Sequence, residues 1–335
     1  MNHRSKKKIP FTLFFISLIL ILLILILISL CSGHSALALQ RIPAILMGQG
    51  DFKENFIFYQ IRLPRIILTT LVGAALAFAG TILQGITKNP LADPGVIGIN
   101  AGAGLAIAIT FLFIPLEAQK FGMILPVIGM VGGLIAGFLP YTLSIQRYRG
   151  IQVLTYTLIG VGCATALSGA MMVIISATDR TKVDFIAKWL AGNLWGTDWQ
   201  YILGLIPWLL IIGGIAVFKL HTLNLLQFDD VTAINLGVKL AKERIILLSL
   251  AILASASAAA IAGNISFIGL MAPHLAKKFV SSRFQQILPT AVLLGAIFLV
   301  LADTISRSVL PTPIPTGIIV AIIGAPYFLY LMKST

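Results

Sequence analysis

RLPRIILTTLVGAALAFAGTILQGITKNPLADPGVIGINAGAG, residues 62–104, is the stretch on which the reading of this chain turns. Arg62 and Arg65 stand at the lip of an apolar run. Gly73, Ala77, Gly80 and Gln84 follow at spacings of 4, 3 and 4, so they share one face of a helix. Small residues on one face let helices approach closely where no hydrophobic effect drives association. Packing is therefore the plain reading of the first three. Gln84 differs, because an amide deep in a span needs a partner or water, which makes it a candidate for a wet path. Asn89-Pro90 and Asp93-Pro94-Gly95 then break the helix. Asn and Asp bond nearby backbone and Pro presets the next turn, which predicts a tight hairpin into a second glycine-striped helix.

The rest of the chain repeats the apolar theme. Of 335 residues 58% are hydrophobic and 10% charged, with a mean hydropathy of +1.00. Too little polar surface exists to cover such a core in water. Ten runs approach the length of a membrane span: 11–31, 62–84, 96–115, 123–145, 151–176, 200–219, 244–262, 265–279, 286–304 and 316–332. The fold class expected is an all-α polytopic membrane protein of about ten transmembrane helices, forming one domain over 1–335. The run at 265–279 is short for a ~20-residue span and is expected to tilt or to be buried in protein. Tandem G-x-x-x-G spacing at Gly129, Gly133 and Gly137, and Gly160 with Ala164, predicts further close helix contacts.

Basic residues orient the spans. With the N-terminus inside, the inner segments hold 15 of the 24 Lys and Arg and the outer segments 9, which puts both termini in the cytoplasm. The net charge of +13 reflects this topology and affinity for anionic lipid. No basic patch interleaved with aromatics points to nucleic acid. Residues 1–38 also carry the marks of a signal peptide, with Ala36-Leu37-Ala38 as a cleavage site. The apolar run exceeds a usual signal core, so an uncleaved first span at 11–31 is the preferred reading. Cys31 and Cys163 are too isolated to frame a disulfide or zinc site.

Polar residues beside the membrane carry the functional signal. Arg62 and Arg65 open the second span, and Asp303 and Arg307 lie four apart near the outer end of the ninth, placed to pair. Each arginine alone reads as an interfacial anchor; together they make a charged docking ring. The longest inner loop, about 220–243, contains QFDDVTAINLG. Asp229 and Asp230 suit a helix start, Val231, Ala233 and Ile234 give an apolar side, and Leu236-Gly237 a stop. A second short amphipathic piece ending at Lys242 and Arg244 is expected to follow. His274 reads as a hydrogen-bonding packing residue rather than a metal ligand; His3, His34 and His221 form no cluster with it.

Taken in order, RLPR, GAALA, NPLADPG, GNISFIGLMAPH, ADTISR and PTGIIVAIIGAP resemble the permease family of iron–siderophore and vitamin B12 ABC importers, over residues 60–332. The resemblance implies a type II ABC importer permease fold working as a dimer, with the path on the dimer axis near spans five and ten. It implies that Arg62, Arg65 and Arg307 receive acidic residues from the two lobes of an extracytoplasmic substrate-binding protein. Asp229, Asp230, Ala233, Leu236 and Gly237 match the LG-[DE]-x-x-A-x-x-LG frame of coupling helices that seat on two cytoplasmic ABC ATPase subunits. Gln227-Phe228 replaces the Leu-Gly that usually opens that frame, and Lys277 stands where Arg is usual, keeping charge but losing the fork. By position, Gln152, Val153 and Leu154 approach an inner gate, although the family's small polar gate residues are not reproduced there.

No G-x-x-x-x-G-K-[ST] loop occurs, so this chain cannot cradle nucleotide phosphates as a P-loop does, and it is not expected to be an enzyme. The resemblance implies import of an iron–siderophore complex across a bacterial cytoplasmic membrane, with cobalamin or haem as other cargoes and a second permease chain, identical or paralogous, as partner. No cofactor or bound metal is implied. An ion-coupled secondary transporter is the alternative from another class; such proteins need ionisable groups in mid-membrane, and Gln84 is the nearest candidate.

Overall fold

Pro10 cannot donate a helical hydrogen bond but can start a helix, and the apolar run after it forms α1, Phe11–Cys31. In the computed structural model the described residues are 10–32, 38–113, 118–146, 150–151, 153–176, 180–194, 197–308 and 314–334. After α1 come a 3₁₀ turn at Leu39–Arg41, then α2 (Ile42–Leu46) and α3 (Phe52–Phe56). Asp51 and Glu54 cap α3 reciprocally, and Glu54 also takes Arg41 at 2.8 Å. A π turn, Ile57–Arg62, leads into α4, Leu63–Thr87. Pro64 in the first turn lacks the N–H that a regular helix would use, and the register widens just before it. The second span is thus continuous from Phe52 to Thr87, ten residues earlier than expected.

The chain continues through α5 (Ile99–Phe113), α6 (Ala118–Ser144), a ribbon pairing Ile145–Gln146 with Gly150–Ile151, α7 (Val153–Ser176), α8 (Arg180–Leu190) and α9 (Trp199–Leu225). It ends with α10 (Asp230–Asn235), α11 (Leu240–Ala262), α12 (Ile268–Phe279), α13 (Phe284–Ser308) and α14 (Thr316–Ser334). Each of the ten expected spans corresponds to one helix: α1, α4, α5, α6, α7, α9, α11, α12, α13 and α14. Among the described residues seven helices are long and apolar enough to cross a membrane by themselves. At 12 residues α12 is about 18 Å long, well short of the ~30 Å hydrocarbon core. It is sheathed by α4, α13 and α14, with Ile268 through Pro273 buried. The amphipathic α8 is an addition to the expected elements; it buries Ile186 and Trp189 and turns Asp184 and Lys188 outward as an ion pair.

Three spans make the centre. The best membrane window of α4 is 78% buried, that of α11 78% and that of α13 72%. Small residues make this possible. A Cβ on Gly73 would lie 2.4 Å from Gly295 O, and one on Gly80 only 1.8 Å from Gly269 O. So α4 touches α13 and α12 backbone to backbone, as the shared face of Gly73, Ala77 and Gly80 predicts. Gly129, Gly133 and Gly137 of α6 meet Ala260, Ala256 and Ile252 of α11 in succession. By contrast the window of α7 is 11% buried.

Non-helical backbone is stacked where α8 ends and α12 and α14 begin. Asn264 N donates to Trp189 O, and Gly317 N to Gly192 O at 2.8 Å. Gly192 and Gly263 both have positive φ, and a Cβ on Gly263 would fall 2.3 Å from Trp189 O. Irregular backbone inside the bundle survives because other protein groups satisfy it.

Candidate functional site

At the end of the molecule where α1 finishes and α4 starts, one carboxylate gathers several elements. Asp303 has a side chain only 2% exposed. It accepts Arg65 Nη2 at 2.8 Å, Arg307 Nε at 3.0 Å and Thr316 Oγ1 at 3.2 Å. The i, i+4 pairing of Asp303 with Arg307 is therefore formed, and Arg65 joins it from α4. Arg307 Nη2 also donates to Ser29 Oγ at 2.7 Å, tying in α1. Arg62 donates to Leu30 O.

The structure brings Arg65 and Arg307 together and draws both partly below the surface. Arg62 lies deeper: at 3% exposed it is enclosed against the C-terminal turn of α1, because a guanidinium there satisfies a carbonyl that helix geometry leaves open. Two guanidinium groups, Arg65 and Arg307, share one carboxylate, and Arg62 lies close enough to Arg307 for their charges to interact, so the cluster carries an excess of two positive charges. Neither Ser29 nor Thr316 carries any signal in the sequence, since both sit in ordinary apolar surroundings.

At the opposite end lies the loop helix α10. Asp229 caps it, accepting Thr232 Oγ1 at 2.6 Å and Thr232 N at 3.0 Å, and these bonds hold its carboxyl below the usual range. Asp230 faces back toward the spans. Arg244 Nη2 lies 2.7 Å and Lys88 Nζ 3.4 Å from its Oδ1. Burial alone would raise the Asp230 carboxyl, but these two cations outweigh it and lower it. Lys88 also donates to Phe228 O at 2.6 Å, and Gln227 Nε2 to Gly85 O at 3.2 Å. The last turn of α4 thus grips the start of the loop.

Ala233 is fully buried, whereas Phe228, Val231, Ile234 and Leu236 are each more than half exposed. The expected apolar side of Val231, Ala233 and Ile234 is split: Ala233 seats the helix and the two larger residues point away. Gly237, at φ +88°, ends it as expected. The expected second short piece is instead the first two turns of α11, which runs unbroken from Leu240.

Gln84 is 1% exposed. Its Nε2 donates to Leu270 O at 3.3 Å and its Oε1 accepts Lys277 Nζ at 3.2 Å. It is a tie between α4 and α12, because the short α12 brings a carbonyl and an ammonium within reach of the amide. Gln152 lies outside the described residues; Val153 and Leu154 open α7, with side chains likewise outside them. His274 packs its ring edge-to-face on Tyr327 at 6.0 Å, but its Nε2 is buried without a hydrogen-bond partner among the described residues. No group of three or more His, Cys, Asp or Glu suited to a metal occurs among the described residues.

The hairpin between α4 and α5 is built as its sequence predicts. Asn89 Oδ1 accepts Leu91 N at 2.9 Å and Asp93 Oδ1 accepts Gly95 N at 2.7 Å. Burial pushes the Asp93 carboxyl up to about 6, against the two backbone bonds that lower it.

A bundle of apolar spans around a glycine-mediated centre, a cationic cluster at one end and a helix-bearing loop at the other define a multi-pass membrane protein of the ABC transporter permease class. A solved inward-facing conformation of a transporter described as of the metal-chelate ABC type superposes with a TM-score of 0.84 at 29% identity, covering 97% of this chain and 100% of that one. The chain belongs to the FecCD transport family, whose model matches residues 21–334. It is similar to the iron(3+)-hydroxamate import system permease FhuG of Bacillus subtilis (strain 168), at 36% identity over 92% of each chain. It is also similar to the Fe(3+)-citrate import system permease YfmE of the same organism, at 41% identity over 84% of each.

Proposed function

We propose that this chain is the permease subunit of an ABC importer that passes an iron–siderophore complex across the bacterial cytoplasmic membrane, using ATP hydrolysed by separate subunits. The observation that carries the energy coupling is α10: two large apolar side chains exposed on a short helix and two more flanking it, at Phe228 and Leu236, on a loop that Lys88, Arg244 and Gln227 lash to the spans. A solvent-facing apolar patch so rigidly held is a protein contact surface. With no P-loop in the chain, two cytoplasmic ATPase subunits are the partners that fit it. Cargo follows from relatives named for ferric hydroxamate and ferric citrate import; cobalamin and haem remain cargoes of the same transporter class.

The extracytoplasmic binding protein docks at the opposite end. The excess of two positive charges around Asp303 suits acidic residues of its lobes, with Arg65 and Arg307 in contact and Arg62 behind them holding α1. Rim charges of this kind set orientation and on-rate more than affinity. Both termini then lie in the cytoplasm, as the 15 to 9 distribution of basic residues favours. A second permease chain, identical or paralogous, covers the largely unburied α7 and encloses the path with it.

The experiment is reconstitution in vesicles with the ATPase and a loaded binding protein. ⁵⁵Fe-labelled ferric hydroxamate should accumulate only with ATP and binding protein together. Accumulation driven by a proton or sodium gradient without the ATPase would instead favour an ion-coupled secondary transporter. Arg65→Glu with Arg307→Glu should slow binding-protein association several-fold at low salt and less at high salt; unchanged association at low salt refutes the docking assignment.

A further inference from the structure

A groove of about 540 Å³ runs between α4, α9 and α13, apart from both sites above. Its walls follow helical spacing: Ala74 and Phe78 on α4, Gly213 and Val217 on α9, Leu288 and Val292 on α13. Small residues create it, and a Cβ added at Gly213 would meet nothing within 4 Å. The volume falls in the ~300–1,000 Å³ range of ligand pockets. The α9 wall extends from Leu209 to Leu220, about 16 Å at the helical rise. That is half of the ~30 Å hydrocarbon thickness, the depth of one leaflet.

The groove has one polar end. Gln285 is its single polar lining residue. The Gln285 Oε1 accepts Asn224 Nδ2 at 2.9 Å, which leaves its NH₂ group directed to other partners. Arg283, two residues before it, is exposed and has no ion pair among the described residues. His221, exposed, follows Leu220 on α9. Glu243 is neutralised by Lys219 at 2.8 Å. The charge offered at this end is therefore positive, and it lies at the α10 end of the molecule.

We propose that the groove is a binding site for an anionic phospholipid of the leaflet at the α10 end, one acyl chain lying along α4 and the phosphate meeting Arg283 and Gln285. A guanidinium fork with an adjacent amide N–H is suited to phosphate oxygens. The bound chain fills the space between α9 and α13, which are otherwise tied at this end by Asn224, whose Oδ1 accepts Phe284 N at 2.9 Å. It thereby fixes the spacing of the helix that leads into residues 226–237.

The test uses the full chain, with the subunits that accompany it, equilibrated in vesicles of equal phosphatidylglycerol and phosphatidylethanolamine and then extracted in mild detergent. Native mass spectrometry counts lipid per permease chain. One phosphatidylglycerol should be retained with at least tenfold preference. Gly213→Phe should abolish that retention, and Arg283→Gln should bring the two lipids near parity. Gly204→Phe, a second open position on α9 that lines a different groove, should behave as wild type. No preference in the wild type, or retention unchanged by Gly213→Phe, overturns the proposal. So does disulfide capture of Gly213→Cys by another polypeptide, which would make the occupant a protein. Arg283→Gln is a surface change that does not threaten folding, so a preference that survives it overturns the phosphate assignment even if Gly213→Phe fails to fold.

Discussion

Arg65 and Asp303 are 238 residues apart in sequence, yet Nη2 of the first stands 2.8 Å from Oδ1 of the second. Asp303 simultaneously holds Arg307 and Thr316, so one carboxylate joins α4, α13 and the start of α14. Removing one partner of a buried pair leaves an uncompensated charge and costs about 3–5 kcal/mol. Asp303→Asn strands two guanidinium groups side by side, whereas Arg65→Gln leaves Asp303 its bond to Arg307. Denaturation in detergent should show a loss on the order of 3 kcal/mol for Asp303→Asn and a clearly smaller one for Arg65→Gln. Equal losses would deny Asp303 its place as the hub.

Glycine positions in this bundle are of two kinds, and the same substitution should act with opposite sign on them. A Cβ on Gly80 would sit 1.8 Å from the backbone oxygen of Gly269, while one on Gly214 meets nothing within 4 Å. Gly80→Ala must push α12 away from α4, and overpacking of this sort costs roughly 1–3 kcal/mol. Gly214→Ala should be neutral or stabilising by up to about 1 kcal/mol, the helix propensity of Ala over Gly. Thermal midpoints of the two variants moving in the same direction would be inconsistent with this packing.

Asp93 gives the fold a pH dependence of its own. Its carboxyl lies outside the spans, is buried, and titrates near 6 instead of near 3.8. The folded state therefore binds the proton more tightly than the unfolded state. This contribution is fully present below pH 3.8, falls as pH rises through 6, and is flat above that. A shift of this size corresponds to on the order of 3 kcal/mol. Asp93→Asn should lose this downward slope between pH 4 and 6 and be the more stable protein at pH 7. A variant with the wild-type slope would place the titration elsewhere.

Periodicity and small-residue spacing make the spans legible in the sequence. The glycine face of α4, the Asp303–Arg307 pair and the Asp229-to-Gly237 helix all depend on residues within one or two turns of each other, which spacing reveals. What spacing cannot reveal is which distant element supplies a partner. Gln84 reads as a residue in need of water until Leu270 O and Lys277 arrive from α12. Arg62 and Arg65, two of a kind in RLPR, part company because α1 offers one of them a bare carbonyl and α13 offers the other a carboxylate. Lys88 gives no signal at all, since its grip on Phe228 O and Asp230 spans some 140 residues.

The loop helix separates surface from anchor within six residues, and this yields the sharpest test of the coupling role. Val231 and Ile234 point outward while Ala233 is fully buried against the spans. If the outward pair enters an apolar groove of an ATPase subunit, each side chain contributes about 1.5–3 kcal/mol on burial, or roughly tenfold or more in affinity. Val231→Asp with Ile234→Asp should therefore abolish co-purification of the ATPase while leaving the melting transition of the permease unchanged, because neither side chain supports the fold. Lys88→Met should act differently. It frees Phe228 O and loosens the hold of α4 on the loop, so the ATPase should still associate but transport should no longer follow hydrolysis. Full transport in Lys88→Met would mean that force passes from α10 to the spans by another route, with Arg244 and its 2.7 Å bond to Asp230 as the remaining link.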